Sequence, residues 1–438
     1  MSQNKYFYSK YIYALFFLSA SEAVFAHKAY VTDPLGGHVY AVTNGVAYTL
    51  TLGGDIPSFV QPNSVAISVD GKQAYVTDPG VDDVYVINTQ TDAVTRIINN
   101  TSIPFVECRC LAASPTQGKV YIGGQITSSI GVIYVVDTYS NTINKVIGVS
   151  THMPRFESIS AIVFSNDGMK AYAVDQKNHM VYVIDTSSDV AVSFMDQKIQ
   201  VPTSLAVNPA NGIQGYVTDA GEIPAIYMMD TTSNTITSSV TLEGNLQLNY
   251  PLTVAFSPDG MFAYITDKSS NVYIVQVSQQ IASATVAVAV AVPPFTRPQK
   301  IVFSPDGTVA YMTDLSKRYF YEINLKMQKA TGIIRPLGAR STQGIAFVPA
   351  PIPPRNQTGK QICNDYGLFY KLINVLQWDP SPSNVSYYNV YLNDQFIGST
   401  KELSFQHHQS LKATSLNYKV TAVDITGVEG KSVSISIR

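Results

Sequence analysis

Charge is scarce in this chain. Only 14% of its 438 residues are Asp, Glu, Lys or Arg, and the formal net charge is −2. No global field is therefore available to recruit nucleic acid or an anionic membrane, and nucleic acid is not an expected partner. Cysteine is scarcer still, at three residues, too few for a disulfide scaffold. Cys108 and Cys110 flank Arg109, and strand alternation would put both on one face. A bond between them would strain the strand, and Glu107 without a histidine does not complete a metal site. Free or structural thiols are expected, with a pairing to Cys363 left open. The G-x-S-x-G, H-E-x-x-H and phosphate-loop signatures are all missing, which removes the common hydrolase, zincin and nucleotidase patterns. No cofactor or metal is called for.

Long apolar runs are missing too, except at residues 11–20 (YIYALFFLSA). That run follows Lys5 and Lys10 and precedes Val24-Phe25-Ala26, the layout of an export signal cleaved before His27. The alternative is an uncleaved anchor. The run is short for a bilayer span and gives way to Ser19, Ser21 and Glu22, which favours cleavage. Residues 1–26 are thus expected to be a signal peptide. The mature protein would be secreted, periplasmic or on the cell surface, without a transmembrane anchor.

What the chain does have is tyrosine, 28 residues of it, and seven of these organise most of the sequence. Tyr30, Tyr75, Tyr121, Tyr172, Tyr216, Tyr264 and Tyr311 recur at intervals of 45, 46, 51, 44, 48 and 47 residues. Residues 29–33 and 74–78 read AYVTD, 215–219 GYVTD, 263–267 AYITD and 310–314 AYMTD. A unit of this period cannot bury its faces alone and must stack in an array. Within the second repeat, residues 64–68 form an apolar run that ends in Asp70-Gly71, a tight-hairpin pair. AYVTD follows, then Asp78-Pro79-Gly80, then residues 84–88 (VYVIN) and 94–98. Four short antiparallel strands make one propeller blade. Asp167-Gly168, Asp259-Gly260 and Asp306-Gly307 repeat the hairpin, and Pro62, Pro202, Pro251 and Pro298 open first strands, where a missing donor is tolerated. The first repeat lacks its first strand, while residues 344–348 (GIAFV) are a first strand with nothing after it. The terminal strand is expected to complete the first blade, closing seven blades and removing the open sheet edges.

Residues 29–348 resemble a YVTN-type β-propeller, the family named for the tetrapeptide that reads YVTD here. The resemblance covers about three quarters of the chain and recurs in register. It departs at residues 120–124 (VYIGG) and at Ala173-Val174-Asp175. It implies an exported protein, of a kind in which surface-layer and periplasmic binding roles are frequent and a known chemistry is rare. Residues 350–362 are proline-rich and read as a linker. Beyond them, Trp378 and residues 418–424 (YKVTAVD) with Gly427 resemble a fibronectin type III domain over residues 363–438, which implies a spacer or adhesive unit. The usual corner tyrosine falls on Leu416, so its hydrogen bond should be missing. The expected fold class is all-β, a seven-bladed propeller over 27–349 followed by a small β-sandwich.

Function would sit at the channel mouth, on the face where second-to-third and fourth-to-first strand loops gather. One residue past each proline position stand Asn63, Arg109, Ser160, Thr203, Leu252, Gln299 and Gln343, six polar of seven. They either satisfy backbone groups around the channel or line a polar ligand pocket. Arg155, Arg297, Lys317, Arg318, Arg335 and Arg340 fall in the same loops, with Asp82, Asp83, Glu107, Glu157 and Glu222 interspersed. The aspartates ending second strands recur in almost every repeat, which points to turn-making rather than to metal binding. His152, Glu157 and His179 are the one set that could serve a propeller lactonase or lyase. That is the alternative to the favoured reading, an exported, non-catalytic, monomeric binding or scaffold protein whose loop face recognises a protein, glycan or small ligand.

Overall fold

The computed structural model describes residues 27–437 apart from 44, 54–55, 99–105, 128–129, 149–154, 196–197, 366–369, 384, 410–415, 425–426 and 428. The expected signal peptide and His152 lie outside the described residues. Seven sheets, here called blades 1 to 7 in chain order, each contain four antiparallel strands. Their inner strands are Ile345–Phe347, Val65–Ile67, Val106–Ala113, Ile159–Phe164, Pro202–Val207, Pro251–Phe256 and Pro298–Phe303. Blade 1 is built from both ends of this region: Ala29 pairs with Phe347, Tyr30 with Ala346 and Val31 with Ile345. The ring is therefore closed by the expected strand, and the fold is a seven-bladed β-propeller.

The recurring letters explain how blades join. The motif tyrosines are buried, and several stack on the aromatic residue that ends the next blade's inner strand. Ring centroids lie 4.8 Å apart for Tyr121 and Phe164, 4.9 Å for Tyr216 and Phe256, and 4.8 Å for Tyr311 and Phe347. Burying one such ring is worth roughly 2 kcal/mol. The hydroxyl goes further, to the left-handed residue in the next blade's last hairpin. Tyr30 donates to Asp92, Tyr75 to Asn141 at 2.6 Å, Tyr121 to Asp189 and Tyr172 to Asn234 at 3.2 Å. Those acceptors all have positive φ, which Asn and Asp tolerate. Lys28 and Lys119 add ion pairs to Asp92 and Asp189, both at 2.8 Å.

Threonine in the motif holds the inner ring. Thr32 donates to the Asn63 carbonyl at 2.7 Å, Thr266 to that of Gln299 at 2.8 Å and Thr313 to that of Gln343 at 2.6 Å, each in the following blade. The hairpin glycines Gly71, Gly168, Gly260 and Gly307 have φ near +70°, as the Asp-Gly pairs required.

Two local outcomes depart from the sequence pattern. Residues 286–292 (VAVAVAV) alternate as a strand would, yet only Ala287–Val288 is one, running parallel to the outer strand of blade 7. The segment has to cross between blades, so its alternation finds a partner for two residues alone. Thr241–Leu242 covers the edge of blade 6 in the same way. The second departure concerns the linker: Arg355–Asp365 is a strand paired with Tyr370–Asp379, so proline-rich sequence is confined to the residues before Arg355.

Beyond the ring, Arg355–Asp365, Tyr370–Asp379 and Ser404–Gln409 form one sheet. Gln395–Thr400, Tyr387–Leu392, Leu416–Val423 and Val433–Ile437 form a second. Leu376 and Trp378 from the first pack against Tyr388, Val390, Tyr418 and Val420 of the second, which makes a small β-sandwich. Inside it Asn374 donates to the Tyr418 hydroxyl at 2.7 Å, and His407 Nδ1 lies 2.8 Å from the same oxygen. His407 is thus engaged in the core rather than facing solvent. Among the described residues no helix is long and apolar enough to cross a membrane.

Candidate functional site

The mouth is shaped by a repeated irregularity. Register shifts by one residue or more near the start of the inner strand in blades 3, 4, 5, 6 and 7. Such bulges bend a strand and re-aim its side chains. One consequence is that the two thiols part company. Cys108 packs with Tyr75, Val84 and Tyr134 between blades 2 and 3, and Cys110 with Ile159, Phe164 and Tyr182 between blades 3 and 4. The expectation that they share a face is overturned because the bulge breaks the alternation. Cys108, Cys110 and Cys363 are all free. Burial pushes the Cys110 thiol up to about 12 and raises Cys108 as well, so neither is a nucleophile at neutral pH.

Blade 3 lacks the motif aspartate because the space is filled. A side chain at Gly124 would begin 2.6 Å from Cys108 Sγ, and one at Gly123 would begin 2.5 Å from Cys110 Sγ.

Elsewhere the aspartate does more than make a turn. Asp78 accepts from Gly80 N in the following turn at 3.0 Å, but also from Val60 N and Gln61 N at 2.7 and 2.8 Å. Asp219 repeats this with Gly221, Gln200 and Val201, and Asp314 with Ser316, Thr296 and Arg297. Asp33 holds Gly36, Arg340 and Ser341. Each carboxylate therefore clamps the chain arriving from the previous blade onto its own second strand. The sequence shows the turn partner, two or three residues away. It does not show the partners about 18 residues back. These oxygens face N–H donors, which leaves them unfit as a metal cage. Among the described residues no group of three or more His, Cys, Asp or Glu could hold a metal ion.

The polar ring is partly consumed by the ring itself. Ser160 donates to the Thr203 carbonyl at 3.4 Å and Thr203 to that of Pro251 at 2.7 Å, linking successive blades. Gln343 Nε2 donates to Asn63 Oδ1 at 3.3 Å, and Gln299 Nε2 to the Arg297 carbonyl at 3.4 Å. Arg109 is exposed and lies 3.6 Å from Glu107. Arg155, Arg297, Arg318 and Arg340 are exposed too. Arg335 lies over the Tyr319 ring at 4.7 Å.

Of the set considered for catalysis, Glu157 and His179 are described, and no hydrogen bond or ion pair joins them. Glu157 N is held by Asp175 at 2.7 Å. His179 is exposed, with φ 59°, beside an open depression lined by Gln200, Val201, Gly221 and Glu222 of blade 5. Tyr182 stands under this rim. Burial, with Asp175 alongside, pushes it up to about 12, so it remains a hydrogen-bond donor.

Fold and site together define an all-β, seven-bladed propeller whose repeated aspartates are structural and whose mouth carries exposed arginines on an irregular rim. No protein-family profile matches the sequence. Over 283 residues the chain is 24% identical to a seven-bladed beta-propeller protein of Mycobacterium tuberculosis, covering 60% of this chain and 72% of that one. Among solved structures it is similar to a functionally unknown protein from Desulfotomaculum acetoxidans, with TM-score 0.54 and 15% identity over 73% of this chain and 98% of that one. It is also similar to the hydrazine synthase of Kuenenia stuttgartiensis, with TM-score 0.51 and 17% identity over 60% of this chain and 77% of that one. These structural likenesses speak to the fold alone.

Proposed function

We propose that the protein is an exported, non-catalytic binding or scaffold protein of the YVTN-propeller type. Its rim recognises an acidic protein or glycan, and the C-terminal sandwich serves as a fibronectin type III-like spacer. One observation carries the reading. The rim loops of blades 7 and 1, residues 34–37, 293–297, 315–319 and 335–344, hold Arg297, Lys317, Arg318, Arg335 and Arg340 and not one Asp or Glu. The acidic residues Asp82, Asp83 and Glu107 belong to blades 2 and 3 instead. A chain with almost no net charge thus presents a one-signed arc, which steers and orients an anionic partner. Sheet order in the sandwich, with Leu416 buried where the corner tyrosine would stand, fits the spacer role.

The test is binding of the chain from residue 27 onward to arrays of acidic and neutral glycans and proteins. Capture of an acidic member should weaken at least tenfold in the triple variant Arg297→Gln, Arg318→Gln, Arg340→Gln, and should fall with added salt. Affinity that is indifferent to both would refute the basic-arc reading.

A further inference from the structure

One cation is unaccounted for by the rim. Two residues past each proline position stand Gly344, Ser64, Cys110, Ala161, Ser204, Thr253 and Lys300, and only the last is charged. The Lys300 backbone is tied to the second strand, its N–H donating to Thr313 Oγ1 at 3.1 Å. Its ammonium, in contrast, has no hydrogen-bond or ion-pair partner among the described residues. The side chain is enclosed by protein yet partly reachable by water, the combination expected of a group inside a wet channel.

Its direction follows from its place on Pro298–Phe303, the innermost strand of blade 7. Further along that strand Ile301 packs into the seam with blade 6 and Val302 into the seam with blade 1. Lys300 stands ahead of both at the bulge between Pro298 and Ile301, on the channel side of these seams, so it extends into the central channel. Burial there holds Lys300 below the usual lysine range. A lone ammonium there is costly unless an anion joins it. Among the described residues the chain supplies none. Asp33, Asp78 and Asp314 already accept from two or more backbone N–H groups each. One ring nearer the mouth, Asn63 Nδ2 donates to no described group, and Gln343 has a second amide hydrogen beyond the one given to Asn63.

We propose that the channel binds a small oxyanion, a carboxylate or a phosphate, on Lys300 Nζ, with the Asn63 and Gln343 amides as donors on the mouth side. This site is separate from the rim, so its failure would leave the acidic-partner reading untouched. The experiment compares thermal unfolding of the chain from residue 27 onward in chloride, acetate and phosphate at matched ionic strength. Acetate or phosphate should raise the melting temperature over chloride by roughly 3 °C in a saturable way. Lys300→Met should remove the increment, while Lys300→Arg should keep it. A response to acetate alone assigns a carboxylate, and one to phosphate alone an inorganic oxyanion or phosphoryl group. Equal increments in wild type and Lys300→Met would overturn the proposal. Calorimetric titration of the wild type with millimolar acetate and phosphate decides independently of how the variants fold, and absence of binding heat in both would overturn it as well.

Discussion

The motif tyrosines differ in where their hydroxyls go, and that difference is measurable. Tyr121 donates to Asp189, whereas the Tyr216 hydroxyl is buried without a partner among the described residues. Tyr121→Phe leaves a half-buried carboxylate with one donor fewer and should cost about 1–2 kcal/mol. Tyr216→Phe removes an unsatisfied group and should be neutral or slightly stabilising. Urea midpoints of the two variants decide; an equal loss in both would mean that ring packing, not the hydroxyl, is what the repeat preserves. The aspartates admit a sharper test. Asp219 is buried and accepts from three backbone N–H groups. Asp219→Ala orphans all three and should lower stability by about 3 kcal/mol or more, with Asp219→Asn losing less because one acceptor oxygen remains. A surface carboxylate such as Asp259, altered in the same way, is the comparison. Similar small effects at both positions would reduce Asp219 to a turn residue.

Single elements were legible in the sequence wherever their cause is local. Second and third strands, Asp-Gly hairpins and the missing first strand follow from letters within about ten residues of one another. Bulges do not, because they answer to the geometry of seven strands converging on an axis, and so the sequence misplaced Cys108 and Cys110. Nor do the edge-covering pairs at Thr241–Leu242 and Ala287–Val288, where a crossing segment adopts its neighbour's free edge. The candidate site was legible only as a ring of positions. Reading could not tell that Ser160 and Thr203 tie blades together, or that Lys300 would be left without a partner. Blade 3 offers the cleanest element-level test, since its Gly124 departs from the motif to make room for a thiol. Gly124→Ala should cost about 1–3 kcal/mol by overpacking against Cys108. Adding Cys108→Ala should recover at least about 1 kcal/mol of that, a coupling that a double-mutant cycle isolates. Additive effects would show that the two sites do not share the space.

At the scale of the whole molecule, stability rests on a contact between residues 29–31 and 345–347. Closing a loop of about 300 residues costs roughly 5 kcal/mol in its length-dependent entropy, so three paired residues alone would barely hold it. The burial of Ile345 and the stacking of Phe347 on Tyr311 at 4.8 Å supply the remainder. Without this strand the inner edge of blade 1 would present unpaired backbone, and the cluster it shares with blade 7 would open. Two truncations separate ring closure from the sandwich. A chain of residues 27–350 keeps the closing strand and loses the sandwich; its propeller transition should stay within about 2 °C of that in the full chain. A chain of residues 27–343 lacks the strand and should melt at least about 10 °C lower or aggregate. Calorimetry reads both. If the shorter chain melted with the longer one, the terminal strand would be an ornament on an already stable array. The seven blades would then be held by neighbour contacts alone, as in an open solenoid.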